Sequence, residues 1–296
     1  IFLFLIISTI IISCQSEKVS SQETPNLVEK IVEKIEEIPE EKAPEIKYSI
    51  IKKADWLAQK DSLEAGKHLD ILAAINRTDL GHLNRLDSII LPDRFDLSLD
   101  EYMPFPKSVE ELKDIKKIII FSNTVQAFGA YENGELVLQG QSNMGKKSTP
   151  TPAKLYFCNW KSKRSISTVN SRWILNWNFN ISNYGGIGFH EYALPGYPAS
   201  HSCMRLRAED AKFLYYWAEQ WVLSSNGQQI LAKGTPVIIH GEYPYGSERP
   251  WYNVVNNPNA MKYNQDSIKN ILAPHIETIM QKQEERIEYL KNQEAV

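Results

Sequence analysis

The chain has few cysteines, a small net charge and no long apolar run, and each of these features excludes a class of protein. Its 296 residues contain three cysteines, at positions 14, 158 and 203, too few for a disulfide framework and without the paired spacing of a metal site. A net charge of −3 gives no reason to expect nucleic acid as a partner. No apolar run reaches the roughly 18 residues of a transmembrane helix. The hydrophobic content of 43% is enough for one substantial core.

The first twelve residues are almost wholly apolar and lead into Ser13-Cys14. This run is too short to span a membrane and is typical of the apolar region of an export signal. The charged segment that precedes such a region is missing, so we expect the chain to begin after its true start. Ile11-Ile12-Ser13-Cys14 resembles a bacterial lipobox, which implies a lipoprotein-type signal peptide over residues 1–13 and diacylglycerol on Cys14. The alternative is a buried N-terminal strand with a chance cysteine.

A lipid on Cys14 would anchor the protein in a membrane of the cell envelope, facing the periplasm. Gln15 is not the Asp that, by analogy with envelope lipoprotein sorting, favours retention at the inner membrane, so we expect the outer membrane. Residues 14–47 are dominated by Glu, Lys, Ser and Pro. Such a composition buries too little apolar surface to fold alone, so we expect a disordered charged tether.

Residues 48–100 are expected to form a small, mainly helical N-terminal unit. Apolar residues between Asp55 and Ile75 repeat at helical spacing, and Ile89-Ile90-Leu91-Pro92 is typical of a short strand closed by proline. A helix followed by such a strand resembles part of a LysM wall-binding module. The simpler interpretation is a unit that packs against the rest of the chain and braces it.

Residues 101–243 carry strand patterns, and residues 244–296 are predicted to be a C-terminal extension ending in an amphipathic helix. The apolar run Lys117–Ser122 predicts a buried strand, and Asn133-Gly134 predicts a hairpin turn. Apolar residues from Ala211 to Val222 repeat at helical spacing and predict one helix. Pro274 is expected to break the C-terminal helical pattern.

Reactive side chains are concentrated between Gly188 and Arg205. His190 is followed, after a loop, by Ser200-His201-Ser202-Cys203-Met204-Arg205. In an extended segment side chains alternate, so His201, Cys203 and Arg205 are predicted to share one face. An imidazole and a guanidinium beside a thiol should lower its pKa. With His190 as a base brought over by one hairpin, this is the minimum set for cysteine nucleophilic catalysis. The alternative is a buried free cysteine near chance histidines. Cys158 ends the strand pattern Leu155-Tyr156-Phe157-Cys158 and is predicted to be a small core residue.

From about residue 115 to 243 the chain resembles the L,D-transpeptidase catalytic domain of the YkuD family. The family signature is a histidine, a spacer, then Ser/Thr-His-Gly-Cys with Arg or Asn two positions later, which His190 and the segment from Ser200 to Arg205 match. Gln126 with Tyr131 and Gly134, then Gly145 to Pro152, are similar to the family's opening hairpin and Gly-x-x-x-Thr-Pro-x-Gly loop, with Lys154 at the last glycine. The resemblance covers somewhat under half of the chain.

The resemblance implies a mainly β fold with flanking helices, a β-sandwich or barrel catalytic domain over residues 101–243. It also implies an enzyme without metal or other cofactor that acts on peptidoglycan stem peptides. Cys203 would attack the carbonyl of the third stem residue and expel the terminal D-alanine, with His190 as general acid and base. A neighbouring stem's amine would complete a 3-3 cross-link, and water would give an L,D-carboxypeptidase. Such enzymes serve peptidoglycan biosynthesis, cell wall organization and cell shape, and they are carbapenem targets.

The family's pattern also assigns supporting roles and shows two departures. His201 and Arg205 would shape the pocket, and the backbone N–H groups of Ser202 and Cys203 would hold the oxyanion. Ser202 replaces the usual glycine, which costs on the order of 1 kcal/mol if that position has a positive φ. Secondly, 13 positions separate His190 from Cys203, fewer than usual, and Tyr192 and Tyr197 in this loop are candidate lid residues for the substrate.

Two further functions fit the same residues. A hydrolase or amidase could use the same Cys203 and His190 to cut cross-links or release wall-attached proteins. A lipoprotein without catalysis could bind peptidoglycan and link a membrane to the wall. The sequence does not specify the acyl acceptor or the oligomeric state.

Overall fold

The computed structural model describes residues 45–59 and 67–294. The predicted signal peptide, the lipidation site at Cys14 and the predicted tether up to residue 44 lie outside the described residues. From Glu45 onward the described residues form one compact unit. The domain limits expected after residues 47, 100 and 243 stay predictions.

The N-terminal part of this unit contains two paired strands, with three helices between them in the sequence. Strand β1 (Tyr48–Lys52) runs antiparallel to β2 (Ser88–Pro92). Between them lie α1 (Lys53–Gln59), α2 (Lys67–Ile75) and α3 (Leu80–Leu83). Helices α1 and α2 and strand β2 agree with the hydrophobic pattern, whereas the pattern gave no indication of β1. Most residues of β1 are exposed, so its pairing with β2 defines it rather than an apolar periodicity.

The remaining strands form two larger sheets and one short hairpin. In chain order they are β3 (Lys117–Ser122), β4 (Ala127–Glu132), β5 (Glu135–Gln141), β6 (Lys154–Phe157), β7 (Lys161–Ile166), β8 (Ile174–Ser182), β9 (Ile187–Glu191), β10 (Met204–Leu206), β11 (Val222–Leu223), β12 (Ile230–Ala232) and β13 (Pro236–His240). The five-stranded sheet has the order β5-β4-β3-β13-β6, the four-stranded sheet has β10-β9-β8-β7, and β11 pairs with β12. In the larger sheets only the pairs β13–β3 and β10–β9 are parallel.

The two larger sheets face each other across one hydrophobic core. Phe121 and Phe128 from the first sheet meet Phe179, Phe189 and Met204 from the second, and all five are fully buried. Because side chains alternate along a strand, the neighbouring residues of β3 point to the opposite face of the five-stranded sheet. The expected mainly β sandwich with flanking helices is confirmed. The hairpin turn at Asn133-Gly134 is also confirmed, and both residues have positive φ.

Loops and helices cover the outer face of the five-stranded sheet. Ile118 and Ile120 pack there against apolar residues of the segment 103–115 and of the C-terminal helices. These helices are α5 (Gln265–Leu272) and α6 (Ile276–Glu294), and the predicted break at Pro274 lies between them. Short 3-10 helices occupy Leu99–Tyr102, Glu110–Leu112 and Pro250–Val255. Within the described part of the chain, no helix combines the length and apolarity needed to cross a membrane.

Helix α4 (Ala208–Trp217) packs on β8 and β9, next to the segment that carries the candidate nucleophile. The predicted extension of this helix to Val222 is wrong. The backbone of Ala218 is extended, with ψ of 149°, and Val222 begins the short strand β11. Ala218 is buried in the main core, so its apolar character reflects packing rather than helical continuation.

Candidate active site

Cys203 lies at the end of a tight turn that connects the loop after β9 to β10. The hydroxyl of Ser200 donates to the backbone oxygen of Cys203 at 2.5 Å, which closes the turn. Ser202 has a φ of 73°, in the left-handed region that favours glycine. The predicted extended conformation of residues 201–203 is therefore wrong, and regular alternation starts only at Met204. His201, Cys203 and Arg205 nevertheless line one cavity, because the turn rather than a strand brings them together.

The loop Gly145–Pro152 packs against this turn and holds it through hydrogen bonds. The backbone N–H of Lys146 donates to Ser200 O at 3.0 Å, and Thr151 Oγ1 donates to Ser202 O at 3.1 Å. Gly145 is required here, because a Cβ at this position would lie 2.3 Å from Thr149 O. The loop that the sequence marked by its glycine and two Thr-Pro steps is thus the support of the nucleophile.

Cys203 is partly exposed at the cavity, and its thiol donates to the backbone oxygen of Gly186 at 3.5 Å. Burial of the sulfur raises the pKa of Cys203, while a backbone hydrogen bond from Gly188 and the charge of Arg205 act in the opposite direction. The predicted lowering of this pKa is wrong in direction. Desolvation of the thiolate outweighs the neighbouring positive charge and favours the neutral thiol.

His190 sits at the centre of the four-stranded sheet and is 4% exposed. It lies directly opposite Arg205 in the parallel pairing of β9 with β10. Its Nδ1 lies 2.9 Å from the backbone oxygen of Glu191. A carbonyl can only accept, so Nδ1 carries the proton and Nε2 keeps a free lone pair. Burial lowers the pKa of His190 to about 4, which keeps the ring neutral and able to accept a proton.

His201 and Arg205 both line the cavity. The Lys146 ammonium donates to His201 Nε2 at 3.1 Å, and the His201 ring lies 5.0 Å from the ring of Trp173. Burial, with the charges of Lys146 and Arg205, lowers the pKa of His201. The Arg205 guanidinium lies 4.6 Å from the ring centre of Tyr192. Among the cavity-lining residues of the described part of the chain, Arg205 is the one charged side chain, and no carboxylate lines the cavity.

The cavity itself occupies about 730 Å³, including its opening to solvent. His190 and Cys203 both line it, as the sequence predicted, and so does the candidate lid residue Tyr192. Tyr197 is 49% exposed and is not among the lining residues. Sequence reasoning missed the wall that the β7–β8 hairpin contributes. The missed residues include Ile166, Val169, Asn178 and Asn180, whereas Trp160 and Trp173, for which the sequence favours core packing over a groove, also line the cavity.

Two backbone donors complete the site. Among the described residues, neither Ser202 N–H nor Cys203 N–H has a hydrogen-bond acceptor. Adjacent unpaired N–H groups beside a nucleophile are the arrangement that stabilises an oxyanion. The described residues also contain no group of three or more His, Cys, Asp or Glu side chains that could hold a metal ion.

Known protein families provide an independent comparison with this geometry. Residues 116–239 match the family model of the L,D-transpeptidase catalytic domain, YkuD. This YkuD segment contains His190, Cys203 and both larger sheets except the last residue of β13. It covers less than half of the chain. No curated protein matches.

Several solved structures of L,D-transpeptidases are similar to part of the chain. The enzyme from Stackebrandtia nassauensis is 22% identical, with 44% of this chain and 57% of that chain covered and a TM-score of 0.35. The enzyme from Mycobacterium smegmatis is 17% identical, with 43% and 59% covered and a TM-score of 0.34. A mutant of the Enterococcus faecium enzyme is 23% identical, with 42% and 50% covered and a TM-score of 0.34. The chain thus spans between half and three fifths of the length of these proteins.

Proposed function

We propose that this protein is an L,D-transpeptidase that acts on peptidoglycan stem peptides through a Cys203 acyl-enzyme. The observation that carries the proposal is that Cys203 and a neutral His190 line the same cavity of the YkuD segment. The unpaired N–H groups of Ser202 and Cys203 supply the third requirement of acyl transfer, a site for the oxyanion. Arg205, without a competing carboxylate in the cavity, favours a substrate with a negative charge near the scissile bond.

In the first half-reaction, His190 Nε2 takes the Cys203 proton as the sulfur attacks the carbonyl of the third stem residue. A raised thiol pKa makes this base necessary, because little thiolate is present beforehand. The S–C bond forms, the oxyanion is held by the two backbone N–H groups, and the C–N bond to the terminal D-alanine breaks. His190 returns the proton to the leaving amine, and a thioester remains.

In the second half-reaction an acceptor amine attacks the thioester. His190 removes a proton from the amine, the C–S bond breaks and the Cys203 thiol is restored. The product with a neighbouring stem is a 3-3 cross-link, and the product with water is a tripeptide stem. The same steps on an existing cross-link, with water as acceptor, would make the protein a hydrolase.

Mass spectrometry of purified disaccharide-tetrapeptides incubated with the protein tests this proposal. We expect cross-linked dimers together with tripeptide products. Cys203→Ala should reduce product to background, whereas the matched variant Cys158→Ala, which alters a buried core cysteine, should retain turnover. Turnover that persists in Cys203→Ala would refute the mechanism. Cleavage of pre-formed dimers without their formation would identify the hydrolase, and sacculus binding without any turnover would identify the non-catalytic lipoprotein.

We further propose that diacylglycerol on Cys14 anchors the protein in a membrane of the cell envelope, where it faces the periplasm. The outer membrane is the location that we expect. The support is the sequence Ile11-Ile12-Ser13-Cys14 and the polar segment that follows it. Fractionation of cells that produce the full-length precursor should place the protein with the membranes. Cys14→Ser should abolish its labelling by a fatty acid, and unchanged labelling would contradict the lipid anchor.

A further inference from the structure

The loop of residues 192–199, between β9 and the nucleophile turn, is fixed to the N-terminal part of the chain. Thr78 Oγ1 donates to Leu194 O at 2.7 Å, and the backbone N–H of Asp79 donates to the same oxygen at 3.1 Å. In return, Leu194 N–H donates to Asp79 Oδ2 at 2.7 Å. Thr78 and Pro195 also form an isolated antiparallel bridge. Leu194 is fully buried beneath these contacts.

Asn143 reinforces the same junction through its side chain. Its Nδ2 donates to Arg77 O at 2.8 Å, and its Oδ1 accepts from Gly196 N–H at 2.9 Å. One buried amide therefore joins the N-terminal part of the chain, the end of β5 and the loop. Asn143 also pairs through its backbone with Arg205, two residues after the nucleophile. The junction thus reaches the strand that follows Cys203.

The inner side of the loop faces the active site. Arg205 donates to Ala193 O at 3.3 Å and to Ala199 O at 3.1 Å, and its guanidinium covers the ring of Tyr192. Tyr192 and Arg205 both line the cavity that contains Cys203. The loop is therefore held from outside by Thr78 and Asp79 and from inside by Arg205. Its position determines where the Tyr192 ring lies in the cavity.

We propose that Asp79, together with Thr78, is a positioning residue for the active site and holds the loop 192–199 so that Tyr192 and Arg205 form the wall of the substrate cavity. The role of these residues in substrate binding rests on the function proposed above. The hydrogen bonds that Thr78 and Asp79 form with Leu194, which we call the clamp, do not depend on that function. Only 12 residues lie between His190 and Cys203, so this segment has little chain to fold back on itself.

Asp79→Ser separates this role from a general loss of stability. Asp79 is the N-cap of α3, and its Oδ1 accepts from His82 N–H at 2.9 Å and from the His82 ring Nδ1 at 2.8 Å. Asp79→Ser therefore removes the contact with the His82 ring as well as the contact with Leu194. Serine is as good an N-cap as aspartate, but its shorter side chain does not reach Leu194. Asp93→Ser is the matched control, because Asp93 accepts from Lys47 N–H in the same N-terminal part and has no hydrogen bond to the loop in the described residues. Thr78→Val, which removes only the hydroxyl, is the second variant.

The first measurement is amide hydrogen exchange at Leu194, which requires no activity. Loss of a hydrogen bond to a charged group should speed exchange at Leu194 at least 10-fold in Asp79→Ser. The rate in Asp93→Ser should stay within about 2-fold of the parent protein, apart from any change shared by all core amides. Equal exchange at Leu194 in Asp79→Ser and Asp93→Ser would overturn the clamp, whether or not the protein turns over stem peptides.

The second measurement separates substrate positioning from thiol chemistry. With disaccharide-tetrapeptide as substrate, Asp79→Ser and Thr78→Val should raise KM about 5-fold to 10-fold and leave kcat within about 3-fold. Alkylation of Cys203 by iodoacetamide should stay within about 2-fold, because the loop Gly145–Pro152 holds the nucleophile turn independently. Faster exchange at Leu194 with an unchanged KM would overturn the positioning role. Absence of turnover in the parent protein would refute the proposed function and leave the exchange result to decide the clamp.

Discussion

Substitutions at Ser202 provide the sharpest test of the nucleophile turn. The φ of 73° places a residue with a Cβ in a conformation that glycine adopts without cost. The serine hydroxyl offsets part of this cost, because it lies 3.1 Å from Pro150 O and 3.3 Å from Thr149 O and donates to one of them. Ser202→Ala removes the hydroxyl and keeps the strain. Ser202→Gly removes both.

These energies predict that Ser202→Gly is more stable than Ser202→Ala, the reverse of the usual order of glycine and alanine. The left-handed conformation costs a residue with a Cβ about 1–2 kcal/mol, and one hydrogen bond contributes about 0.5–1.5 kcal/mol. Glycine loses about 0.4–1 kcal/mol through the greater entropy of its unfolded chain. The free energy of unfolding should therefore fall by about 1 kcal/mol in Ser202→Ala and stay within about 1 kcal/mol of the parent in Ser202→Gly. At ordinary backbone positions alanine is the more stable of the two.

Thermal unfolding of the three proteins measures this order. For a domain of this size, 1 kcal/mol corresponds to a difference in Tm of about 2–4 °C, which scanning fluorimetry or calorimetry resolves. Ser202→Gly should unfold at a higher temperature than Ser202→Ala, and its kcat should stay within about 3-fold of the parent because the N–H groups keep their direction. A Tm for Ser202→Ala equal to or above that of Ser202→Gly would refute the assignment of strain to this turn.

Three further predictions concern pH, the support loop and the thiols. Burial lowers the pKa of His190 to about 4, so the unfolded chain binds more protons than the folded protein between pH 6.5 and 4. The free energy of unfolding should therefore fall on acidification through this range, by up to about 3 kcal/mol. In a series of denaturation curves at different pH, His190→Asn should show a smaller change of this free energy with pH. Gly145→Ala should lower the free energy of unfolding by about 2 kcal/mol or more, since its Cβ meets Thr149 O at 2.3 Å; a loss below 1 kcal/mol in chemical denaturation would contradict this close approach. Native alkylation followed by peptide mapping should modify Cys203 and spare Cys158, which is fully buried with a pKa raised by burial; equal labelling would show that the core opens.

Local patterns were sufficient for much of the fold. The apolar run Lys117–Ser122, the turn at Asn133-Gly134 and the break at Pro274 are each fixed by neighbouring residues, and each appears where the pattern placed it. The predictions that failed depended on distant contacts. Strand β1 exists because β2 pairs with it, and Ala218 is apolar because it packs in the core after α4 has ended.

The candidate site shows the same division between local and distant determinants. Cys203 and His190 were identified from residue types and spacing, and both line one cavity. The direction of the Cys203 pKa was not accessible from these types, because it depends on how much protein surrounds the sulfur. The contact between Asp79 and Leu194 joins residues 115 positions apart in the chain, and no local pattern encodes it.

The sequence by itself determined the residue types of the site, the family resemblance and several strands of the five-stranded sheet, because these depend on side-chain chemistry and on periodicity within short segments. Only the tertiary structure decided that Ser202 has a glycine-like φ, that burial raises the pKa of Cys203 and that Thr78 and Asp79 contact the loop before the nucleophile. Each of these depends on atoms that distant parts of the chain bring together, through burial and hydrogen bonds that exist only after folding.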